Sequence, residues 1–477
     1  MKFRNTLALA VLFLALGGYL YFVENPRHEQ ATEQKKLVSF KPDDVSEITL
    51  TYPDRQIVLK KTGAGWRIAK PIEVDADQTA VSNLLRAAAD AEVKRTLEGG
   101  SASLEAYGLD KPEVIVSIAR TDGSKLPSIR IGKTAPVGFS AYAQLEGTSD
   151  VKLVPSVFQT GMKREVKDLR DKTIIDFQDA DVQQVEITTP QSTIHLVRQG
   201  EGWALDKPFS AKADATEVTS FLSALRGARA EEFVDAPSAL ADYGLDAPRE
   251  KVAVLTGKEL NRKELWLGAE KAKDSKNVLW VKRTDADVVY GVGTWTWNGL
   301  NKSVVAFRDK TVLAFDLAEL GAVEVSRHDG EAFRLAKEPP ASSTSPSPTS
   351  APSAGSVDAT WKVDGAKNSN SAAIRDLVAD LHALKGYEIA AEKPADLAPY
   401  GLAAPELTYS LIDAGGKPIG RIIAGQVEEG GKTEAYAMAE GGDIVLHLRS
   451  YLYGHIDKKK SDLITPAPVA EPTAPAS

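Results

Sequence analysis

The chain has 477 residues, with 58 Lys and Arg against 66 Asp and Glu, 43% hydrophobic side chains and no cysteine. That length accommodates about three domains at ~100–200 residues each, and the composition is that of globular protein able to bury sizeable cores. A net charge of −8 lacks the dense basic face that a phosphate backbone requires, and the missing cysteines exclude disulfides, thiolate metal sites, a Cys nucleophile and a lipid-modified cysteine.

The first predicted element is a membrane span. Lys2 and Arg4 lie in a short tail, residues 1–5, and an uncharged apolar run follows from Thr6 to Val23. Eighteen residues of helix rise about 27 Å, close to a hydrocarbon core of ~30 Å. Tyr19, Tyr21 and Phe22 sit where an interfacial aromatic belt would lie. A cleaved signal peptide competes with this reading, but its core is normally shorter, and Ala15-Leu16-Gly17 is a poor cleavage site with apolar residues continuing beyond it. Arg27, Lys35 and Lys36 lie just past the far end, so charge alone leaves the orientation open. A short tail ahead of a long soluble portion fits a signal anchor with its bulk outside the cytoplasm.

Beyond the span the chain repeats itself. "YGLDKP" at Tyr107 returns as "YGLDAP" at Tyr243 and "YGLAAP" at Tyr400, spaced by 136 and 157 residues. The longer spacing contains a Pro/Ser/Ala run, residues 338–358, whose 21 residues account for the difference. Trp66, Trp203 and Trp361 follow the same rhythm, as do Gly132 in "IRIGK", Gly268 in "LWLGA" and Gly425 in "IIAGQ". "LRDKTII" at Leu169 is echoed by "FRDKTVL" at Phe307 and weakly by "KKKSDLI" at Lys458. Several landmarks in one order at one period define a repeated domain of about 136 residues. The copies are placed at 38–174, 175–313 and 314–464, with a tail at 465–477 expected to be disordered.

Within a copy, alternation such as "VSEITLTY" and "RQIVLKK" predicts a strand meander ending at the tryptophan. An amphipathic helix follows, with apolar stripes Val81-Leu84-Leu85-Ala88, Val218-Phe221-Leu222-Leu225 and Ile374-Leu377-Val378-Leu381. Asp77 and Asp214 precede two of these helices as caps. Next comes the YGLxxP turn: Gly108, Gly244 and Gly401 can take positive φ, while Pro112, Pro248 and Pro405 open extended segments. Further antiparallel strands such as "EVIVSIAR" and "AYAQL" complete the copy. The fold class is α+β: three tandem copies behind one transmembrane helix. The Pro/Ser-rich run is placed at a hairpin tip, where insertions are tolerated.

The search for chemistry finds little. The six histidines, at 28, 195, 328, 382, 447 and 455, show no ligand spacing and recur at no equivalent points. "GQVEEGGKT" at Gly425 approaches a phosphate-binding loop, but has one residue too many and continues as a strand in the other copies, so it reads as a glycine-rich hairpin. Acidic pairs such as Asp75 with Asp77, or Asp235 with Asp242, are weak acid–base candidates, and "RDKT" at Arg170 and Arg308 reads as a hinge or cap between copies. No catalytic residue, cofactor or metal site is assigned.

The anchor followed by copies carrying "YGLDKP", "IRIGK" and "LRDKTIIDF" resembles the bacterial family known as domain of unknown function 4340, over most of residues 38–464. "YGLAAP" lacks the Asp of the pattern, and "KKKSDLI" departs from its RDKT junction. The family has no established activity, so no site residues carry over. Its members are often encoded near components similar to gliding-associated ABC transporters, which implies a permease or auxiliary subunit as partner. The expectation is a non-enzymatic, membrane-anchored accessory or scaffold protein. The alternatives are a module binding cell-wall glycan or exported lipid, with Trp66, Trp203 and Trp361 exposed for stacking, and, remotely, a hydrolase with its site between copies.

Overall fold

The computed structural model describes residues 35–98, 104–136, 138–273, 276–338 and 360–465. The expected span at 6–23, most of the Pro/Ser-rich run and all but the first residue of the C-terminal tail lie outside them. Among the described residues no helix is long and apolar enough to cross a membrane. The described chain forms two compact units, one from the segments Met1–Asp181 and Ser223–Leu300, the other from Val182–Leu222 and Asn301–Ser477. The first contains the whole first copy, the second the whole third copy, and the second copy contributes to both.

In the first copy nine antiparallel strands form one sheet. Its meander Val45–Thr51, Gln56–Thr62, Gly65–Lys70 and Val74–Asp75 runs outward in one direction. From the other side of Val45–Thr51 the sheet continues through Val114–Arg120, Ile129–Thr134, Ser140–Leu145 and Val151–Pro155, and ends on Arg95–Leu97. The two meanders meet where Ile48 faces Ile118 and Leu50 faces Val116. Alternation places Ile48 and Leu50 on a fully buried face, and a register shift between Val45 and Glu47 brings Val45 onto it as well.

The helix Gln78–Ala89 covers that face, burying Val81, Leu84, Leu85 and Ala88, the stripe its sequence predicts. Fully burying a side chain of the Val or Leu class stabilises by ~1.5–3 kcal/mol, so this stripe is sufficient reason for the helix to lie on the sheet. Asp77 caps it, accepting from the Ala80 N–H at 2.9 Å.

The third copy repeats the plan with eight strands. Trp361–Val363, Ala332–Lys337 and Leu320–Arg327 lead to Leu407–Asp413, Pro418–Glu429, Lys432–Ala439, Ile444–Leu448 and finally Glu388–Glu392. Its helix Ser371–His382 buries Ile374, Leu377, Val378 and Leu381 and is capped by Asn370. The described residues that flank the Pro/Ser-rich run pair with each other: Lys337 with Trp361, and the Glu338 N–H donates to the Thr360 carbonyl.

The second copy's strands follow the same neighbour order in each compact unit. Val182–Thr188, Thr193–Gln199, Gly202–Lys207 and Ala211–Ala213 succeed one another in one unit; Glu250–Thr256, Asn261–Lys273, Lys276–Arg283, Val289–Gly293 and Ala230–Val234 do so in the other. Its helix Ala215–Gly227 carries the predicted stripe, with Val218, Phe221, Leu222 and Leu225 all buried.

The YGLxxP turn is the same device each time. Gly108, Gly244 and Gly401 have φ of 67°, 64° and 67°, a conformation that disfavours any side chain. The following Leu109, Leu245 and Leu402 are buried. Gly132, Gly268 and Gly425 complete it. A Cβ on Gly132 or Gly268 would collide with the carbonyl oxygen of Tyr107 or Tyr243, and one on Gly425 with that of Gly401. The turn tyrosines each pack on an aromatic from the facing strand: Tyr107 on Tyr142, Tyr243 on Trp280, Tyr400 on Tyr436.

A candidate functional site: the straps between copies

The strongest recurring feature outside the cores lies at the two junctions. At the first, the Asp77 N–H donates to the Leu169 carbonyl at 2.8 Å and the Asp171 N–H to the Asp75 carbonyl at 2.9 Å, both within the first copy. One residue later the Lys172 carbonyl accepts from the Ala230 N–H at 2.8 Å, in the second copy. The second junction reproduces this: Asp214 to Phe307 at 2.7 Å, Asp309 to Lys212 at 2.9 Å, then Gly386 to the Lys310 carbonyl at 2.9 Å. RDKT is therefore a strap, hydrogen-bonded to the copy before it and the copy after it. A hinge would leave these backbone groups free.

Side chains lock the strap in place. Arg170, only 8% exposed, donates to Asp235 at 2.7 Å and lies over the Phe233 ring. Arg308 donates to Glu392 at 2.5 Å and lies over Phe209. Asp171 and Asp309 are the turn caps that the sequence suggests, each accepting from the N–H two residues on. Burial pushes the Asp309 carboxyl up, but the Thr311 hydroxyl and the Lys212 ammonium outweigh it and hold the group below its usual range.

Both ends of the array differ from these junctions. Lys35–Leu37 occupies the strap position ahead of the first copy, with the Val93 N–H donating to the Lys35 carbonyl and Leu37 to Ala91. At the far end, the Asn370 N–H donates to the Leu463 carbonyl and Thr465 to Asn368. Leu463 therefore corresponds to Leu169, which shifts the register of the "KKKSDLI" echo. Asp462 confirms this, since it accepts from the Lys459 N–H as Asp168 does from Glu165. Ile464 consequently stands where Arg170 and Arg308 stand, and the docking arginine has no counterpart there.

Each strap walls an open cleft. At the first junction a space of 780 Å³ lies between Trp66, Asp77, Gln78, Asp171, Thr173 and Arg229. At the second, 390 Å³ lies between the equivalent Trp203, Asp214, Thr311 and Lys385. The three landmark tryptophans are core residues, 8%, 5% and 4% exposed, so they offer no exposed stacking platforms.

The other sequence candidates scatter. Asp75 pairs with Arg67 while Asp77 caps its helix, and Asp235 belongs to Arg170 while Asp242 meets Ser238. His195 sits between Asp206 and Gln184 on its strand, His382 packs edge-on against Phe315, and His455 faces Asp380. His28 lies outside the described residues. "GQVEEGGKT" is a hairpin: Glu429 faces Lys432 across a two-residue Gly430-Gly431 turn, both glycines at positive φ. Among the described residues no group of three or more His, Asp or Glu is placed to hold a metal ion.

Two features carried no sequence signal. In the third copy His447 accepts or donates at 2.7 Å with the Tyr387 hydroxyl and at 2.8 Å with Glu434, and stacks on Tyr436. In the second copy Glu250, 3% exposed, opens a strand at the place where the other copies have buried Val114 and Leu407. Burial raises its carboxyl from 4.5 to about 7, against the opposing charge of Arg249.

Comparison with known families agrees with this repetition. The model described as "Domain of unknown function (DUF4340)" matches three times, at residues 66–238, 203–354 and 361–474. Each match begins on one of the landmark tryptophans, and the first two run through a strap into the following copy. No curated protein matches the chain. With most of its length covered by those three matches, the chain belongs to the DUF4340 family, as a tandem array of its domain.

Proposed function

We propose that this is a non-enzymatic scaffold, anchored by residues 6–23 in the inner membrane with its copies outside the cytoplasm, working beside an ABC-type transport complex. The observation that most supports the scaffold part is the strap. Both junctions use the same backbone bonds and the same arginine–carboxylate lock, an arrangement that serves to fix successive domains against each other. The transport partner rests on the resemblance stated above, and the anchor rests on the apolar run. A ligand-binding role remains the second reading. With the tryptophans buried, it has to rest on the two junction clefts.

The test is affinity purification of the detergent-solubilised full chain, followed by mass spectrometry, beside a form lacking residues 1–25. Transporter subunits that co-purify with the full chain and vanish from the shortened one support the scaffold. Recovery of wall glycan or lipid with both forms, without a membrane protein, favours the binding module.

A further inference from the structure

We propose that Phe139 and Val157 form a lipid-contacting edge of the first copy, held at the bilayer interface by the anchor; the inference rests on the anchor reading above. Phe139 is 88% exposed and Val157 74%, the two most exposed large apolar side chains among the described residues. They are neighbours, because the Ser156 N–H donates to the Phe139 carbonyl at 2.9 Å and Val157 comes next.

The Phe139 conformation is imposed. Its φ of 44° is left-handed, an outlier for an aromatic residue. Lys94 holds it there, its Nζ donating to the Gly138 carbonyl at 3.1 Å, the Phe139 carbonyl at 3.2 Å and the Ser140 hydroxyl at 3.3 Å. A strained backbone pinned in this way, with its large apolar side chain aimed at solvent, points to a use for that side chain. The corresponding hairpin of the third copy turns instead at Gly430-Gly431, between Glu429 and Lys432.

The course of the chain says what covers this edge. Lys94 is adjacent to Val93, whose N–H donates to the Lys35 carbonyl, the first described residue after the expected span. Only residues 24–34 separate that point from Val23, a reach of roughly 40 Å when fully extended. Two apolar side chains are too little to bring a free domain to a membrane. A short tether raises their local concentration at the interface into the millimolar range, where the same contact becomes effective.

The chain has no cysteine, so single cysteines can be placed without background. The full chain is reconstituted in phosphatidylethanolamine–phosphatidylglycerol vesicles carrying nitroxide lipid, with an environment-sensitive fluorophore on Val157→Cys, on Ala10→Cys within the span, or on exposed Lys258→Cys. The expected result is a blue-shifted emission at position 157, quenched at least about twofold more than at 258. Adding Phe139→Asp brings position 157 down to the level of 258. If position 10 is quenched and 157 matches 258, the inference is overturned and the anchor stands. If position 10 is not quenched, both fall. A blue shift at 157 without lipid quenching assigns the edge to a protein contact and overturns the lipid assignment.

Discussion

The guanidinium of Arg170 meets the carboxylate of Asp235 at 2.7 Å, although 65 residues separate them and they belong to different copies. This pair, with the Phe233 ring beneath the arginine, is the side-chain half of the first strap. Replacing Arg170 by Ala strands the carboxylate and exposes the ring. Because Asp235 is 39% exposed, solvent screens the pair, and the expected loss is about 1–2 kcal/mol. Urea unfolding measures that loss, and limited proteolysis should show new cleavage near Lys172. Unchanged proteolysis would mean that the backbone bonds alone hold the strap.

Gly132 and Gly123 separate two effects of glycine in the same copy. A Cβ at Gly132 collides with the Tyr107 carbonyl, whereas a Cβ at Gly123, at φ 82°, meets nothing within 4 Å. Gly123→Ala should cost about 1 kcal/mol through backbone strain alone. Gly132→Ala has to move the YGL turn, and should cost more than about 2 kcal/mol. Equal losses in chemical denaturation would show that the turn can shift freely.

Glu250 makes stability depend on pH. Its folded-state value, about 7, lies above the ordinary 4.5, so the native state holds its proton more tightly than the unfolded chain does. Its contribution is fully present below about 4.5 and is lost as pH rises through about 7. The full swing is about 3 kcal/mol at ~1.4 kcal/mol per pH unit. Glu250→Leu, which supplies the kind of side chain found in the third copy, should stabilise the protein at pH 8.5 and flatten its profile between pH 5 and 8.5. A variant as pH-dependent as the parent would place the titration elsewhere.

The Pro/Ser-rich run should be removable. Its hairpin is closed by Lys337 with Trp361 and by Glu338 with Thr360. Replacing residues 339–359 by a two-residue glycine turn shortens the loop to be closed, and should raise stability by about 1–2 kcal/mol. A fall in the midpoint of unfolding would show that the run packs on the third copy.

The repeat, the three helix stripes, the caps at Asp77 and Asp214 and the hairpin position of the inserted run were all legible in the sequence. They rest on local period and turn chemistry. The Arg170–Asp235 lock was not, because two residues 65 apart leave no periodic trace. The third strap was read in the wrong register, since lysines imitate the RDKT charge while the backbone follows Leu463. The cluster of Tyr387, His447 and Glu434 was invisible for the same reason as the lock, being assembled from three separate strands or their edges.

The strap also decides where this protein can be cut. A cut after residue 174 leaves Leu169 and Asp171 with the first copy, which they serve, but takes Lys172 from the second, whose Ala230 N–H then loses its partner. A copy bounded at that seam is damaged when excised. The family matches that start at Trp66 and Trp203 are bounded elsewhere, and each carries its strap inside it. Gene duplication that copied such a tryptophan-to-tryptophan segment would add a joint already made, and the array could lengthen without a new interface having to evolve.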